Sequence, residues 1–364
     1  MDMLHQIMLL CRPGFENECA AEIMDHAVRT GFAAYVKAET GTGYATLVSA
    51  EGRDTAGLMQ SSDFKDLIFA RQWFASAQRI DDLPARDRTP PLLTAAAGIA
   101  SQLGTRFKEL ELSYPDTNEG KALSRFCRSF RPHLLDALRR QDLLSPDSAC
   151  RLHLFFLDST RAWPGISWLD NSAPDPMGIP RLRMPDSAPS RSTLKLEEAI
   201  NWFFDQPEQD AWFRPGMRAV DLGAAPGGWS WQLVKRGLLV TAVDNGPMNA
   251  DLMRTGMVEH VRADAFTYTP EHRTDWLVCD MVERPLHVSR LVTRWLVRFN
   301  CKAAIFNLKL PMKKRYQSVL ECKGAIEQAL NDAGIRHRLR IKHLYHDREE
   351  VTACLTVNGK DERA

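Results

Sequence analysis

Between Val220 and Gly237 the chain reads VDLGAAPGGWSWQLVKRG, and this stretch restricts the possible folds more than any other. An apolar strand enters a glycine-rich turn and then a helix. Glycine lets the backbone adopt angles closed to other residues and approach a ligand closely. Such a turn, at the carboxyl end of a parallel strand, builds a nucleotide pocket. The surrounding pattern is regular. RAVDLG, LVTAVDNG, DWLVCDM and AAIFNLKL read as strands with helices between them. The helix STLKLEEAINWFF precedes them, its Ser or Thr followed by acids as at a helix start. RHRLRIKHLYH and EEVTACLTVNG lie close enough in sequence to pair as an antiparallel hairpin. This half is expected to be α/β, a doubly wound sheet.

The 364 residues leave room for further domains. Residues 1 to about 75 read β-α-β-β, a ferredoxin-like order that implies no function by itself, and DDLPARDRTPP closes that unit. Two helical patterns follow, LLTAAAGIASQL and KALSRFCRSFRPHLLDALRRQ, then a strand RLHLFFLDS. The second helix carries Arg125, Arg128, Arg131, Arg139 and Arg140, read as a solvated face. Prolines 164, 174, 176, 180, 185 and 189 then mark an ordered connection. The expected divisions are 1–75, 76–160, 161–190 and 191–364.

With 44% apolar and 26% charged residues the composition is that of a soluble protein. No apolar run reaches the ~20 residues that span a bilayer, so no membrane role is expected. The opening MDMLHQIMLLCRPGFE lacks a basic leader and a small-residue cleavage site, and reads as a first strand of the mature protein. The eight cysteines form no CxxC pair and no metal-ligand spacing, which points to reduced, buried thiols in a cytoplasmic protein without a metal site. A net charge of +1 gives no global attraction to nucleic acid. Locally, Lys302 to Arg348 holds eleven Lys/Arg against four Asp/Glu, and RHRLRIKH alternates basic and apolar residues as a strand with one basic face would.

The glycines and Asp244, at the end of the second strand, fit both NAD and S-adenosylmethionine. Two features favour S-adenosylmethionine. The turn is D-L-G-A-A-P-G-G and not G-x-G-x-x-G, with Pro226 stiffening a loop that has no pyrophosphate to cradle. In addition, Asp221, Asp244, Asp264 and Asp280 end four successive strands, so carboxylates would face sulfonium, amine, ribose and base.

The turn after the fourth strand, CDMVERP, has no Pro-Pro-aromatic platform for a base nitrogen. Cys279 lies inside the strand, which suits packing better than attack on a pyrimidine. A ribose 2′-hydroxyl needs only a base to take its proton, and a lysine serves if its amine is neutral. Lys195, Asp280, Lys309 and a Glu of REEV fit by position; Lys309, in an apolar strand, is the odd residue. Two lysines lower each other's pKa and the acids raise it, a balance that sequence leaves open.

DLGAAPGGWS followed by Lys, Asp, Lys and Glu in this order resembles the FtsJ-type RNA 2′-O-ribose methyltransferases. LLCRPGFENECAAEI, RSTLKLEEA and DLGAAPGGWSWQL resemble more narrowly the ribosomal RNA large subunit methyltransferase M family, over essentially the whole chain. The resemblance implies a Rossmann-like class I methyltransferase fold behind an α+β ferredoxin-like/THUMP region, residues 76–160 being the RNA-holding THUMP-like domain. It implies a cytidine ribose of 23S rRNA as the target. It makes Lys195, Asp280, Lys309 and Glu350 the catalytic tetrad, with Lys309 as proton acceptor. Ser192, Ala225, Pro226, Gly227, Gly228, Asp244, Asp264 and Asp280 would line the cofactor. Glu349 and Glu350 adjoin, and only one of two strand neighbours points inward; Glu350 is chosen because the glutamate of the family it resembles directly precedes the apolar strand, here VTACL. The basic strip Lys313–Arg315 and Arg336–Lys342 would then steer the RNA backbone. The competing readings are a 2′-O-methyltransferase of tRNA, an NAD-dependent oxidoreductase and a non-catalytic RNA-binding module.

Overall fold

The computed structural model describes residues 4–50, 52–299 and 301–357. Residues 1–3 of the opening run and 358–359 of the last strand read above lie outside the described residues. The chain divides into two compact units, Met1–Pro180 and Arg181–Ala364.

The first unit contains β1 (Gln6–Leu10), α1 (Glu16–Arg29), β2 (Ala34–Ala38), β3 (Tyr44–Ser49), α2 (Thr55–Gln60), β4 (Gln72–Ser76), α3 (Thr89–Leu103), β5 (Glu109–Ser113), α4 (Asn118–Lys121), α5 (Ser124–Arg140), β6 (Cys150–Phe156) and β7 (Ala162–Trp168). Elements β1 to β4 complete the ferredoxin-like order. β4 gives no alternation to read, because all five of its residues are buried. One seven-stranded sheet runs β2-β3-β1-β4-β7-β6-β5. The expected division at 75 therefore falls inside β4, and the expected connection 161–190 opens with β7, a central strand. Pro164 and Gly165 hide β7 from a sequence reading. Gly165 is needed for close approach, not for a turn: a Cβ there would lie 2.4 Å from the Ala75 carbonyl oxygen of β4. The five arginines of the second helical pattern all lie exposed on α5.

The second unit contains α6 (Ser192–Phe203), α7 (Gln206–Trp212), β8 (Arg218–Leu222), α8 (Gly228–Lys235), β9 (Leu239–Val243), α9 (Ala250–Arg254), β10 (Val258–Val261), β11 (Trp276–Cys279), α10 (Pro285–Arg298), β12 (Ala303–Lys309), α11 (Arg315–Asp332), β13 (His337–Lys342) and β14 (Glu350–Val357). Its sheet runs β10-β9-β8-β11-β12-β14-β13. The first five of these are parallel, and β14 is antiparallel to both β12 and β13. This is the expected Rossmann-like sheet, with the hairpin at one edge. Helix connections reverse direction between β8 and β11, where such sheets bind ligands. Under the sheet Trp276 stacks on Phe213 with centroids 4.3 Å apart and donates its indole N–H to the Trp212 carbonyl at 2.6 Å. Such a pair contributes about 0.5–1.5 kcal/mol beyond its buried area.

Two sequence readings gain detail in this unit. α6 starts at Ser192 as expected, but no side chain caps it, and the Ser192 hydroxyl lies 2.7 Å from that of Ser190. The basic face of β13 faces solvent only in part. Arg338, 59% exposed, stands 3.9 Å from Glu208, Arg340 is half-buried over the Phe203 ring, and Lys342, only 2% exposed, lies 4.5 Å from the centre of the Trp202 ring. Period-two alternation groups these side chains on one face but cannot say how far α6 and α7 cover it.

All eight cysteines are buried, and none forms a disulfide. Among the described residues, no helix is long and apolar enough to cross a membrane, and no cluster of three or more His, Cys, Asp or Glu side chains forms a metal site.

Candidate active site

β11 and β12 run parallel with Cys279 beside Phe306, which puts Asp280, the next residue, at the carboxyl edge beside Asn307 and Lys309. β12 and β14 run antiparallel with Lys309 opposite Glu350 and Asn307 opposite Thr352. Side chains two apart on a strand share a face. The register therefore lines up all four on one surface. Helix α6 brings Lys195 to the same place, one turn from its start.

The four charged groups close a ring. The Lys309 ammonium donates to Asp280 Oδ1 at 2.5 Å and to Glu350 Oε2. The Lys195 ammonium lies 3.1 Å from Asp280 Oδ2 and 2.5 Å from Glu350 Oε1. Each carboxylate thus bridges both lysines. Their side chains are 22%, 15%, 6% and 18% exposed for Lys309, Asp280, Glu350 and Lys195, so the ring is shielded yet reachable. Glu349, in contrast, is 63% exposed and pairs with Arg315 at 2.6 Å.

The balance that sequence left open now has a sign. Burial alone would push the Lys309 amine down. The Asp280 and Glu350 carboxylates outweigh that, and its pKa stands above the ordinary lysine value. Burial works to raise the Asp280 carboxyl, but Lys309 and Lys195 hold it below the usual range. Burial pushes the Cys279 thiol up to about 12, so it holds no thiolate.

Behind the ring stand groups that sequence reading missed. Asn307, Thr352 and Asp347 are fully buried. The Asn307 amide donates to Asp280 Oδ1 at 2.8 Å, and Thr352 lies 2.8 Å from Asn307 Oδ1 and 3.0 Å from either Asp347 oxygen. Buried Glu198 of α6 accepts from the Tyr345 and His346 backbone N–H groups at 2.7 and 2.9 Å, fixing the loop between β13 and β14. A polar Asn two residues before Lys309, inside an apolar run, was the available signal.

The glycine turn follows β8. Asp221, fully buried, accepts from the Ser230 hydroxyl at 2.7 Å, and burial raises it to about 7; it braces the turn from below. Asp244, at the end of β9, accepts from Ala225 N at 3.0 Å and Gly246 N at 2.7 Å, and Pro226 accepts from Asn249 N at 3.0 Å. Gly227 has φ +111°, a left-handed angle. Gly228 starts α8 where a Cβ would lie 2.2 Å from Ser192 Oγ. Ser192, Ala225–Gly228 and Asp244 are thus bound into one locality. Asp264 is exposed and caps its own turn through Phe266 N at 2.9 Å. Among the described residues, no hydrogen bond ties its side chain to the other carboxylates.

As a set, carboxylates at strand ends around an open glycine turn suit a cationic, hydroxyl-rich ligand. S-adenosylmethionine, with its sulfonium, ammonium and ribose diol, fits that donor set.

Residues 4–74 match the RlmM ferredoxin-like domain, 87–168 the N-terminal region of ribosomal RNA large subunit methyltransferase M, and 188–324 the FtsJ-like methyltransferases. The chain is 48% identical over 354 residues to ribosomal RNA large subunit methyltransferase M of Cellvibrio japonicus, covering 97% of this chain and 100% of that one. It is 48% identical over 358 residues to the protein of the same name from Pseudoalteromonas translucida, covering 97% and 98%.

Proposed function

The chain belongs to the ribosomal RNA large subunit methyltransferase M family, and from there we propose that it methylates the 2′-hydroxyl of a cytidine in 23S rRNA. S-adenosylmethionine, when bound, supplies a methyl group already activated on a sulfonium. Ala225–Gly228, Ser192 and Asp244 would hold it, with Asp264 at the base end. What remains for the protein is to place the ribose and remove one proton.

The observation that carries this reading is the closed ring of Lys195, Asp280, Lys309 and Glu350 at one strand edge. Lys309 Nζ is the proton acceptor. Its two carboxylate partners hold it protonated at rest, so it must first give up a proton to solvent, which its 22% exposed side chain reaches. Positive charge arriving next to Asp280 weakens that carboxylate's hold and moves the lysine towards the neutral amine. Lys195 keeps Asp280 and Glu350 in place while Lys309 changes charge. No nucleophilic thiolate is available from Cys279, which supports an oxygen acceptor over pyrimidine C5.

The first unit is read as the part that holds RNA, ferredoxin-like to residue 75 and THUMP-like over 76–160. The test uses S-adenosylmethionine labelled in its methyl group, with bulk rRNA and bulk tRNA from cells lacking this protein. Methylated 2′-oxygens cannot attack the neighbouring phosphate, so label in an alkali-resistant dinucleotide of 23S rRNA is expected. Label in mononucleotides would make the product a methylated base. Label in tRNA alone would move the substrate.

A further inference from the structure

Behind Asp280, one proton is missing from a buried chain of hydrogen bonds. Asp280 Oδ1 lies 2.8 Å from Asn307 Nδ2, Asn307 Oδ1 lies 2.8 Å from Thr352 Oγ1, and Thr352 Oγ1 lies 3.0 Å from each oxygen of Asp347. Asn307, Thr352 and Asp347 are all 0% exposed. A hydroxyl carries one hydrogen, so Thr352 can donate to Asn307 or to Asp347, not to both. Two arrangements satisfy every contact.

In the first, Asn307 donates to Asp280, Thr352 donates to Asn307, and Asp347 must be a neutral acid that donates to Thr352. In the second the amide is turned over: Asn307 donates to Thr352, Thr352 donates to an ionised Asp347, and Asn307 Oδ1 faces Asp280 Oδ1. Two acceptors then meet at 2.8 Å unless Asp280 carries the proton. Asp280 touches two ammonium groups, Lys309 at 2.5 Å and Lys195 at 3.1 Å, and is the anion of the pair. Only the first arrangement remains.

We propose that Asp347 is a neutral carboxylic acid and, through Thr352 and Asn307, a positioning residue for Asp280. Asp347 Oδ2 also accepts from Leu344 N at 3.0 Å. Its surroundings agree. Burial, with Glu350 and Glu198 nearby, holds this carboxyl well above the usual range. Every bond of the chain points towards Asp280. The amide N–H arriving there fixes the plane of the carboxylate that both lysines grip, and hence where Lys309 Nζ stands. The inference rests on the reading of Asp280 and Lys309 as catalytic, but the protonation of Asp347 does not.

Two measurements separate those claims. Infrared spectra of the full-length protein and of Asp347→Asn at neutral pH should differ by one carboxylic-acid carbonyl band, present in the wild type and lost in the variant. The comparison is needed because Asp221 and Glu111 are also raised, to about 7, and contribute bands common to both. No band lost on substitution overturns the proposal, whatever the enzyme methylates. The second measurement is steady-state rRNA methylation together with binding of S-adenosylhomocysteine. Asparagine offers an N–H to Thr352 and an oxygen to Leu344, so Asp347→Asn should keep kcat within about threefold. Thr352→Val breaks the chain at its middle and should lower kcat about 10- to 100-fold, as small misplacements of catalytic groups do. KM for RNA and S-adenosylhomocysteine affinity should hold, and Thr352→Ser should restore the rate. An Asp347→Asn enzyme as slow as Thr352→Val, or a Thr352→Val enzyme with wild-type kcat, overturns the positioning role. Failure of wild-type protein to methylate any RNA, with the infrared band present, would instead sink the functional reading alone.

Discussion

Lys309→Met tests the proposed chemistry most sharply, because methionine keeps most of the apolar stem and removes only the amine. If Lys309 takes the ribose proton, its loss should lower kcat by about 10²- to 10⁴-fold, or about 3–5 kcal/mol of barrier. The pH dependence carries more information. The carboxylates hold Lys309 above the ordinary lysine value of about 10.4. At pH 7.5 no more than about one protein molecule in a thousand then has the neutral amine. kcat/KM for the methyl donor reports the free enzyme, so it should rise close to tenfold per unit from pH 7 to 9. The Met variant should lose that slope. In kcat, which reports the loaded enzyme, the rise should level off at lower pH, because a bound cation competes for Asp280. A wild-type kcat/KM that is flat from pH 7 to 9, or an unchanged profile in Lys309→Met, refutes the reasoning.

The same substitution has a stability consequence whose sign follows from the two shifts. Lys309 is raised by folding, so its contribution is full below about pH 10.4 and fades as pH rises through the folded value. Asp280 is lowered, so its contribution is full above about pH 3.9 and fades as pH falls through its folded value. Both are present across the neutral range, and the variant loses the Lys309 contribution together with the part of Asp280's that Lys309 supplies. Breaking a fully buried pair costs about 3–5 kcal/mol. These side chains are 22% and 15% exposed, and Asp280 keeps Lys195, so about 1–2 kcal/mol is expected, seen as a drop of about 2–8 °C in the unfolding of this unit.

Glu350→Ala should cost at least about 10²-fold in kcat, while Glu349→Ala should change it less than about threefold, since the Glu349 side chain is 63% exposed and pairs with Arg315 outside the ring; equal effects would mean the wrong glutamate has been placed in the ring. Gly228→Ala should weaken S-adenosylhomocysteine binding in calorimetry, because its Cβ would lie 2.2 Å from Ser192 Oγ and 2.5 Å from Ser190 Oγ. Gly324→Ala, in the middle of α11 with nothing within 4 Å, should leave binding alone and stabilise by about 0.5–1 kcal/mol.

What was legible in the sequence and what was not divides along a physical line. Strand ends could be read, because apolar runs stop where a polar residue is needed, and Asp244, Asp280, Lys309 and Glu350 all stand at such stops. Period two also said that only one of Glu349 and Glu350 points inward, and the structure puts Glu350 in the ring and Glu349 outside it. Partners across strands could not be read. Asn307 meets Thr352 only through the β12–β14 register, which depends on the length of the loop between β13 and β14 and on how Glu198 holds it. The basic residues of β13 show the same limit, since alternation groups Arg338, Arg340 and Lys342 but the covering helices decide their burial. Protonation lies furthest from the sequence. Lys309 has one lysine and two acids as neighbours in either description, yet the sign of its shift depends on separations of a few ångströms and on how much water remains. Asp347 shows this most plainly: in sequence it is one acid among HDREE, and only the count of hydrogens around Thr352 makes it neutral. The charged residues of this site are therefore visible in the sequence, while the groups that set their charge state emerge only from the packed sheet.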